Sequence, residues 1–237
     1  MESLESIASK YNVDKLELGY LRHYEDRFEP IRNVVTKVLE IGVETGCSHR
    51  MWLEYFPNAT IYGIDIFVYG VDEFNKLQEG NPNLDRSVTF KGDQSNTDDL
   101  SNFLSQYGSD FDIIIDDGGH TMKQQQTSMR ELFSKVKSGG FYVVEDLHTC
   151  SGEWNELYGY KVIEEGDTLT TDLLDSLQDF TSKVTETSYL SKEDIKNIES
   201  SIKSCTTEIG VSSYTNPKGY TYRWPTMLSF MEMKSVK

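Results

Sequence analysis

Two stretches, FDIIIDDGGHTM (Phe111–Met122) and GFYVVEDLHT (Gly140–Thr149), constrain the fold of this chain more than any others. Each opens on a near-continuous apolar run and ends in adjacent carboxylates. Unbroken apolar residues suit strands buried on both faces, the central strands of a parallel sheet covered by helices. The sequence before them keeps the same rhythm. VVTKVLEIG (34–42), TIYGIDIF (60–67) and SVTFKGD (87–93) read as three earlier strands. Helical patterns follow them at 47–56, near Val71–Gln78 and at about Thr97–Gln106. A further helix is expected from about Thr121 to Val136, and Gly139-Gly140 punctuate the chain before a fifth strand, FYVVEDL. Strands separated by helices at this spacing predict an α/β fold, an open parallel sheet with helices on both faces.

The 237-residue chain fits a single domain large enough to bury a core. Residues 1–33 read as an N-terminal helical cover, 34–150 as the core, 151–205 as a polar helical insertion and 206–237 as the last two strands. The insertion holds helical patterns at Thr171–Val184 and Ser191–Lys203, read as a solvated face or a lid edge. The late strands are expected near Thr206–Ser213 and Thr226–Met233, with an aromatic loop, YTNPKGYTYRW, between them. The formal net charge of −16 argues against a nucleic-acid or membrane partner, because the field of the whole chain would repel either. Three scattered cysteines, Cys47, Cys150 and Cys205, lack CxxC spacing and read as reduced thiols. The charged N-terminus carries no secretory pattern, and no apolar run reaches membrane-spanning length. A cytoplasmic location is expected.

In open parallel sheets, ligands bind beyond the C-terminal ends of the strands. Here those ends read Glu40-Ile41-Gly42, Asp65, Gly92-Asp93, Asp116-Asp117 and Glu145-Asp146. Such an acidic edge receives phosphates poorly and welcomes a cation or a hydroxyl-rich ligand. The first turn, LEIGVETGCS, contains Gly42 and Gly46 but neither the GxGxxG of dinucleotide binders nor a P-loop lysine. Asp65 is placed to accept hydrogen bonds from a ribose diol. Together these features favour an adenosine cofactor without a pyrophosphate, and S-adenosylmethionine fits that description.

Neighbouring central strands would bring Asp117 to face Glu145 and Asp146. Three carboxylates this close repel unless protonated or bound to a cation. An all-oxygen set suits Mg²⁺ or another hard divalent cation. His120, three residues beyond Asp117, is the candidate general base, with a pKa suited to neutral pH. The plainer alternative is that Asp116 or Asp117 only caps the following helix and Glu145-Asp146 only starts a loop. His148 reads as a structural neighbour of the site, and His23 and His49 as ordinary helix residues.

Taken in order, VLEIGVETGCS, FPNATIYGIDIF, GDQS, FDIIIDDGGHTMKQQ and GGFYVVEDLHT resemble the metal-dependent sugar O-methyltransferases of antibiotic biosynthesis, of the macrolide and rhamnosyl types. The resemblance runs from about Asp14 to Thr149 and is thin beyond Cys150. It implies a Rossmann-like class I methyltransferase fold, with a mostly parallel seven-stranded sheet whose last strand is antiparallel. It implies Mg²⁺ at Asp117, Glu145 and Asp146, and His120 as catalytic base. Glu40, Gly42, Gly46, Asp65, Asp93, Gln94 and Asp116 become the candidate cofactor-binding set. Tyr20 and Tyr24 fall in a segment resembling the family's cofactor lid. The expected reaction is S-adenosylmethionine- and metal-dependent O-methylation of a hydroxyl on a sugar, a glycosylated small molecule or a polyol. The sequence leaves a homo-oligomer open. Alternatives are a hydroxylase-like relative of the cephalosporin hydroxylase type, a nicotinamide-dependent oxidoreductase and a non-catalytic cofactor-binding subunit.

Overall fold

The structure, a computed structural model, describes residues 1–67, 82–150, 163–179, 184–215 and 221–235. Five strands form the parallel part of the sheet: β1 (Lys37–Ile41), β2 (Thr60–Asp65), β3 (Ser87–Lys91), β4 (Phe111–Asp116) and β5 (Val136–Val144). A long hairpin, β6 (Ile202–Thr215) and β7 (Thr221–Met233), completes seven strands in the order β3-β2-β1-β4-β5-β7-β6. β7 pairs antiparallel with both β5 and β6, so it alone runs against the rest. This is the expected sheet, antiparallel last strand included.

The unbroken isoleucines of β4 serve two cores. Successive side chains of a strand point to opposite faces. Ile114 accordingly packs with Leu39, Phe103 and Met129 on one face, while Ile113 and Ile115 pack with Val38, Trp52 and Phe141 on the other. The first face is covered by α4 (Thr97–Tyr107) and α5 (Met122–Leu132). Helices α1 (Leu4–Tyr11), α2 (Leu21–Phe28) and α3 (Cys47–Tyr55) cover the second. Phe28 anchors α2, with its ring 5.7 Å from that of Phe141, 5.8 Å from Phe56 and 6.2 Å from Phe230. Burying a side chain of this size contributes about 1.5–3 kcal/mol. That anchor sets α2 and the short 3-10 turn before it, Asp14–Leu16, against the strand ends.

Several elements differ from their sequence reading. Gly139 and Gly140 lie inside β5, which starts at Val136. Phe111 pairs with Val136 and Ile113 with Phe141, so β5 carries extra residues against two of β4. A Cβ on Gly140 would lie 2.4 Å from the Asp112 carbonyl oxygen, and Gly139 has φ +77. The glycines therefore make a bulge rather than a break. The helix read to Val136 ends at Leu132, followed by a 3-10 turn at Phe133–Lys135. The insertion helices α6 (Thr170–Asp179) and α7 (Lys192–Ser201) are not merely a solvated face. They bury Leu173, Leu174, Leu177, Ile195 and Ile198 in the first core, since their sparse apolar residues align on one stripe. β6 and β7 extend into the stretch read as an aromatic loop. The helix expected at Val71–Gln78 lies outside the described residues, as do 180–183 of the helix read to Val184. Among the described residues, no helix is long and apolar enough to cross a membrane.

Candidate active site

The hydrogen-bond ladder runs on past the parallel strand ends and sets their loops side by side. Gly42 donates to the Ile64 carbonyl at 2.9 Å, Asp117 to Ile41 at 2.9 Å, Glu145 to Asp116 at 2.9 Å and Gly92 to Asp65 at 3.0 Å. Over these ends lies a cavity of about 400 Å³. Its walls include the 42–45 turn, Asp65, Asp93, Gln94, the 117–120 loop and Asp146. Asn12 and Asp14 close it from the N-terminal segment. Asp65 Oδ2 accepts from the backbone N–H of Val43 (2.7 Å) and Glu44 (2.9 Å), and Oδ1 accepts from Phe67 (2.6 Å). The residue expected to meet a ribose thus also fixes the glycine turn facing it.

Gly42, Asp65, Asp93 and Gln94 reach the cavity wall; Glu40, Gly46 and Asp116 do not. Gly46 caps α3 with φ +84. Glu40 lies fully buried, accepting from Trp52 Nε1 at 3.0 Å, and burial raises its carboxyl to about 7. Asp116 is buried too, held by Gln94 Nε2 at 2.9 Å and by the Ser128 hydroxyl, and burial raises it to about 6. Gln94 Oε1 accepts the Gly119 N–H at 2.7 Å, so this side chain clamps the DDGGH loop to β4. A Cβ on Gly118 would lie 1.8 Å from that same Oε1, which accounts for the glycine.

On one edge of the cavity, Asp117, His120 and Asp146 each present a ligand atom, all within 4.8 Å of one another. His120 Nε2 lies 3.5 Å from Asp146 Oδ2. Both residues have positive φ, 59° and 54°. Left-handed backbone is uncommon outside glycine and persists only where the surroundings over-determine it. The Tyr20 hydroxyl donates to Asp146 Oδ1 at 2.8 Å, and His148 Nδ1 lies 3.9 Å from the same oxygen.

Glu145 points elsewhere. It is fully buried, accepts from the Tyr24 hydroxyl and lies 2.9–3.0 Å from the Lys15 ammonium. Lys15 is itself fully buried and also pairs with Asp117 Oδ2. Burial opposes the lysine charge, but Asp117 and Glu145 outweigh it and hold its pKa well above the ordinary value. Burial raises Asp117 to about 6, with Lys15 opposing.

Residues 39–147 match a protein family described as a methyltransferase domain. A 3′-O-methyltransferase of Streptomyces olivaceus, acting by its name on 8-demethyl-8-(2-methoxy-α-L-rhamnosyl)-tetracenomycin C, is 38% identical over 63% of this chain and 38% of its own. The mycinamicin VI 2″-O-methyltransferase of Micromonospora griseorubida is 36% identical over 74% of this chain and 43% of its own. The solved MycE methyltransferase of the mycinamycin pathway, in complex with Mg, SAH and mycinamycin VI, superposes with TM-score 0.66 at 27% identity. That superposition covers 99% of this chain and 55% of MycE. The fold is that of a class I methyltransferase. Its resemblance to the sugar O-methyltransferases, first read from five motifs, holds. The chain spans about two fifths of the length of those curated relatives.

Sequence reasoning did not find Lys15 or the part played by His49. Lys15 sits in a polar, helix-like stretch, NVDKLEL, where a lysine reads as solvent-facing. Only packing of the N-terminal segment on the strand ends turns it inward. His49 is fully buried, its Nε2 2.9 Å from Ser87 Oγ and its Nδ1 3.9 Å from Glu40 Oε2; burial lowers its pKa to about 4. Tyr20 and Tyr24, placed by resemblance in a lid, touch the acidic residues Asp146 and Glu145.

Proposed function

We propose that this chain transfers a methyl group from S-adenosylmethionine to a hydroxyl of a sugar-bearing small molecule or polyol, with Mg²⁺ or a similar hard cation. One observation carries the reading: Asp117, His120 and Asp146 converge in a cavity that the Gly42 turn and Asp65 also line. The Asp117 and Asp146 carboxylates at this spacing fit a hard divalent cation and leave the His120 imidazole for the proton. Asp117 and Asp146 would hold the cation, with Glu145 able to join on exchanging Lys15 for it. When bound, the cation lowers the pKa of an acceptor hydroxyl by Lewis-acid polarisation.

The protein's own groups do the rest. Asp65 and the 42–45 turn would hold the ribose side of the cofactor, and Asn12 and Asp14 would shield the cavity from water. His120 would take the proton of the attacking hydroxyl, and Asp146, 3.5 Å away, would stabilise the imidazolium that forms. The O–C bond forms as the C–S bond breaks, the sulfonium becomes a neutral thioether, and His120 later releases its proton to water. The net charge of −16 supports a small-molecule acceptor over a nucleic acid. We read residues 1–33 as a cover for this site within a single catalytic unit.

Calorimetric titration with S-adenosylmethionine tests the cofactor, and formation of SAH from it in the presence of a panel of rhamnosylated acceptors tests the reaction. His120→Ala is expected to bind S-adenosylmethionine as before and to lose roughly 10²–10⁴-fold in turnover. Unchanged turnover in that variant, or no cofactor binding by the parent, would overturn the reading.

A further inference from the structure

The cation reading leaves unexplained why a lysine is sealed into the carboxylate cluster. We propose that Lys15 is a built-in counter-cation that competes with the divalent cation for Asp117 and so sets how tightly that cation binds. The inference rests on the cation site proposed above. Lysine is almost never fully buried unless paired, and here its partners are the acids that directly follow β4 and β5, Asp117 and Glu145.

Asp117 is shared between two demands. One oxygen pairs with the Lys15 ammonium, and the same side chain is one of the three gathered around the candidate cation position. An oxygen engaged by an ammonium is a weaker donor to a second cation, and the two positive charges repel across a poorly screened gap. Without any cation, Asp117, Glu145 and Asp146 would face one another unneutralised. Lys15 removes much of that repulsion in the cation-free protein. Stabilising the free state of a site lowers its affinity for ligand by the same factor, because a ligand gains only the difference between states. Lys15 also follows Asp14, a cavity-wall residue, so the competing charge is delivered by the segment that covers the site.

A purely structural lysine predicts something else: its removal would lower stability without tightening cation binding. The experiment uses the full chain and Mn²⁺ as probe, with binding read by calorimetry or electron paramagnetic resonance and unfolding read by thermal melts. Lys15→Met and Lys15→Gln are expected to bind Mn²⁺ roughly tenfold or more tightly than the parent. They are also expected to melt lower without Mn²⁺ and to recover most of the difference at saturating Mn²⁺. Lys15→Arg, which keeps the charge, should stay within about threefold of the parent.

Neutral variants that fold only with Mn²⁺ present would support the inference in its strongest form. Folded neutral variants that bind Mn²⁺ no more tightly than the parent would overturn it and leave the cation site standing. Neutral variants that fold neither with nor without Mn²⁺ would also overturn it, since Lys15 would then be purely structural. Absence of Mn²⁺ binding in the parent and every variant would overturn the cation site itself, and this inference with it.

Discussion

A Cβ built on Gly42 would lie 2.0 Å from the carbonyl oxygen of Asp117. The first glycine turn and the acidic loop after β4 therefore meet backbone to backbone. Gly42 also has φ +86, a conformation that side chains resist. Gly42→Ala is expected to destabilise the fold by more than ~1 kcal/mol and to abolish S-adenosylmethionine binding, because the two cavity walls would be pushed apart. Chemical melts and calorimetry check both parts.

Asp146 holds a left-handed backbone at φ 54°. Asparagine tolerates that conformation well, so Asp146→Asn removes a charge without straining the loop. The variant should fold with parent-like stability and bind Mn²⁺ roughly tenfold or more weakly. Parent-like Mn²⁺ affinity would remove Asp146 from the candidate ligand set.

Gln94 joins a buried carboxylate to the loop beyond it, donating to Asp116 Oδ1 at 2.9 Å and accepting from the half-buried Gly119 N–H at 2.7 Å. Gln94→Ala removes both hydrogen bonds, worth about 0.5–1.5 kcal/mol net each and about 1–3 kcal/mol together. Urea melts should show a loss in this range. Turnover should fall with it, because the loop bearing His120 loses its clamp.

His49 predicts a pH effect. Burial lowers its pKa to about 4, whereas an unfolded histidine titrates near ~6.5. Its contribution is fully present above ~6.5 and is lost as pH falls towards the folded value, because the unfolded chain takes a proton that the folded chain refuses. The loss reaches about 3 kcal/mol near pH ~4. Glu40, raised to about 7 by burial, slopes the other way, but it is present in both proteins of the comparison. His49→Gln should therefore lose less stability than the parent between neutral and mildly acidic pH, as read by urea melts at each pH.

Removing divalent ions by chelation should abolish methyl transfer, and Mg²⁺ should restore it. S-adenosylmethionine binding is expected to survive chelation, since the Gly42 turn and Asp65 hold their geometry through backbone hydrogen bonds.

The fold and half of the site are local properties of the chain. Ile113, Ile114 and Ile115 require a strand covered on both faces, the strand–helix rhythm requires a parallel sheet, and strand ends rich in Asp, Glu and Gly place chemistry at one edge. Backbone preference and side-chain period act over a few residues, so Asp117, His120 and Asp146 could be named without coordinates. Side-chain direction is not local. Glu145 and Asp146 are adjacent in sequence, yet Glu145 turns to Lys15 and Tyr24, while Asp146, at positive φ, turns to His120 and Tyr20. Asp116 and Glu40 read as cofactor contacts, yet both are buried and neither lines the cavity. Lys15, some hundred residues before Asp117, reaches it only because the rings of Phe28, Phe141 and Phe230 pack α2 onto the sheet. The residues proposed to carry the chemistry were legible in the local sequence. Tertiary packing decided which carboxylates face the cavity and which face a buried ammonium, because that choice depends on desolvation and charge pairing between segments far apart in the chain.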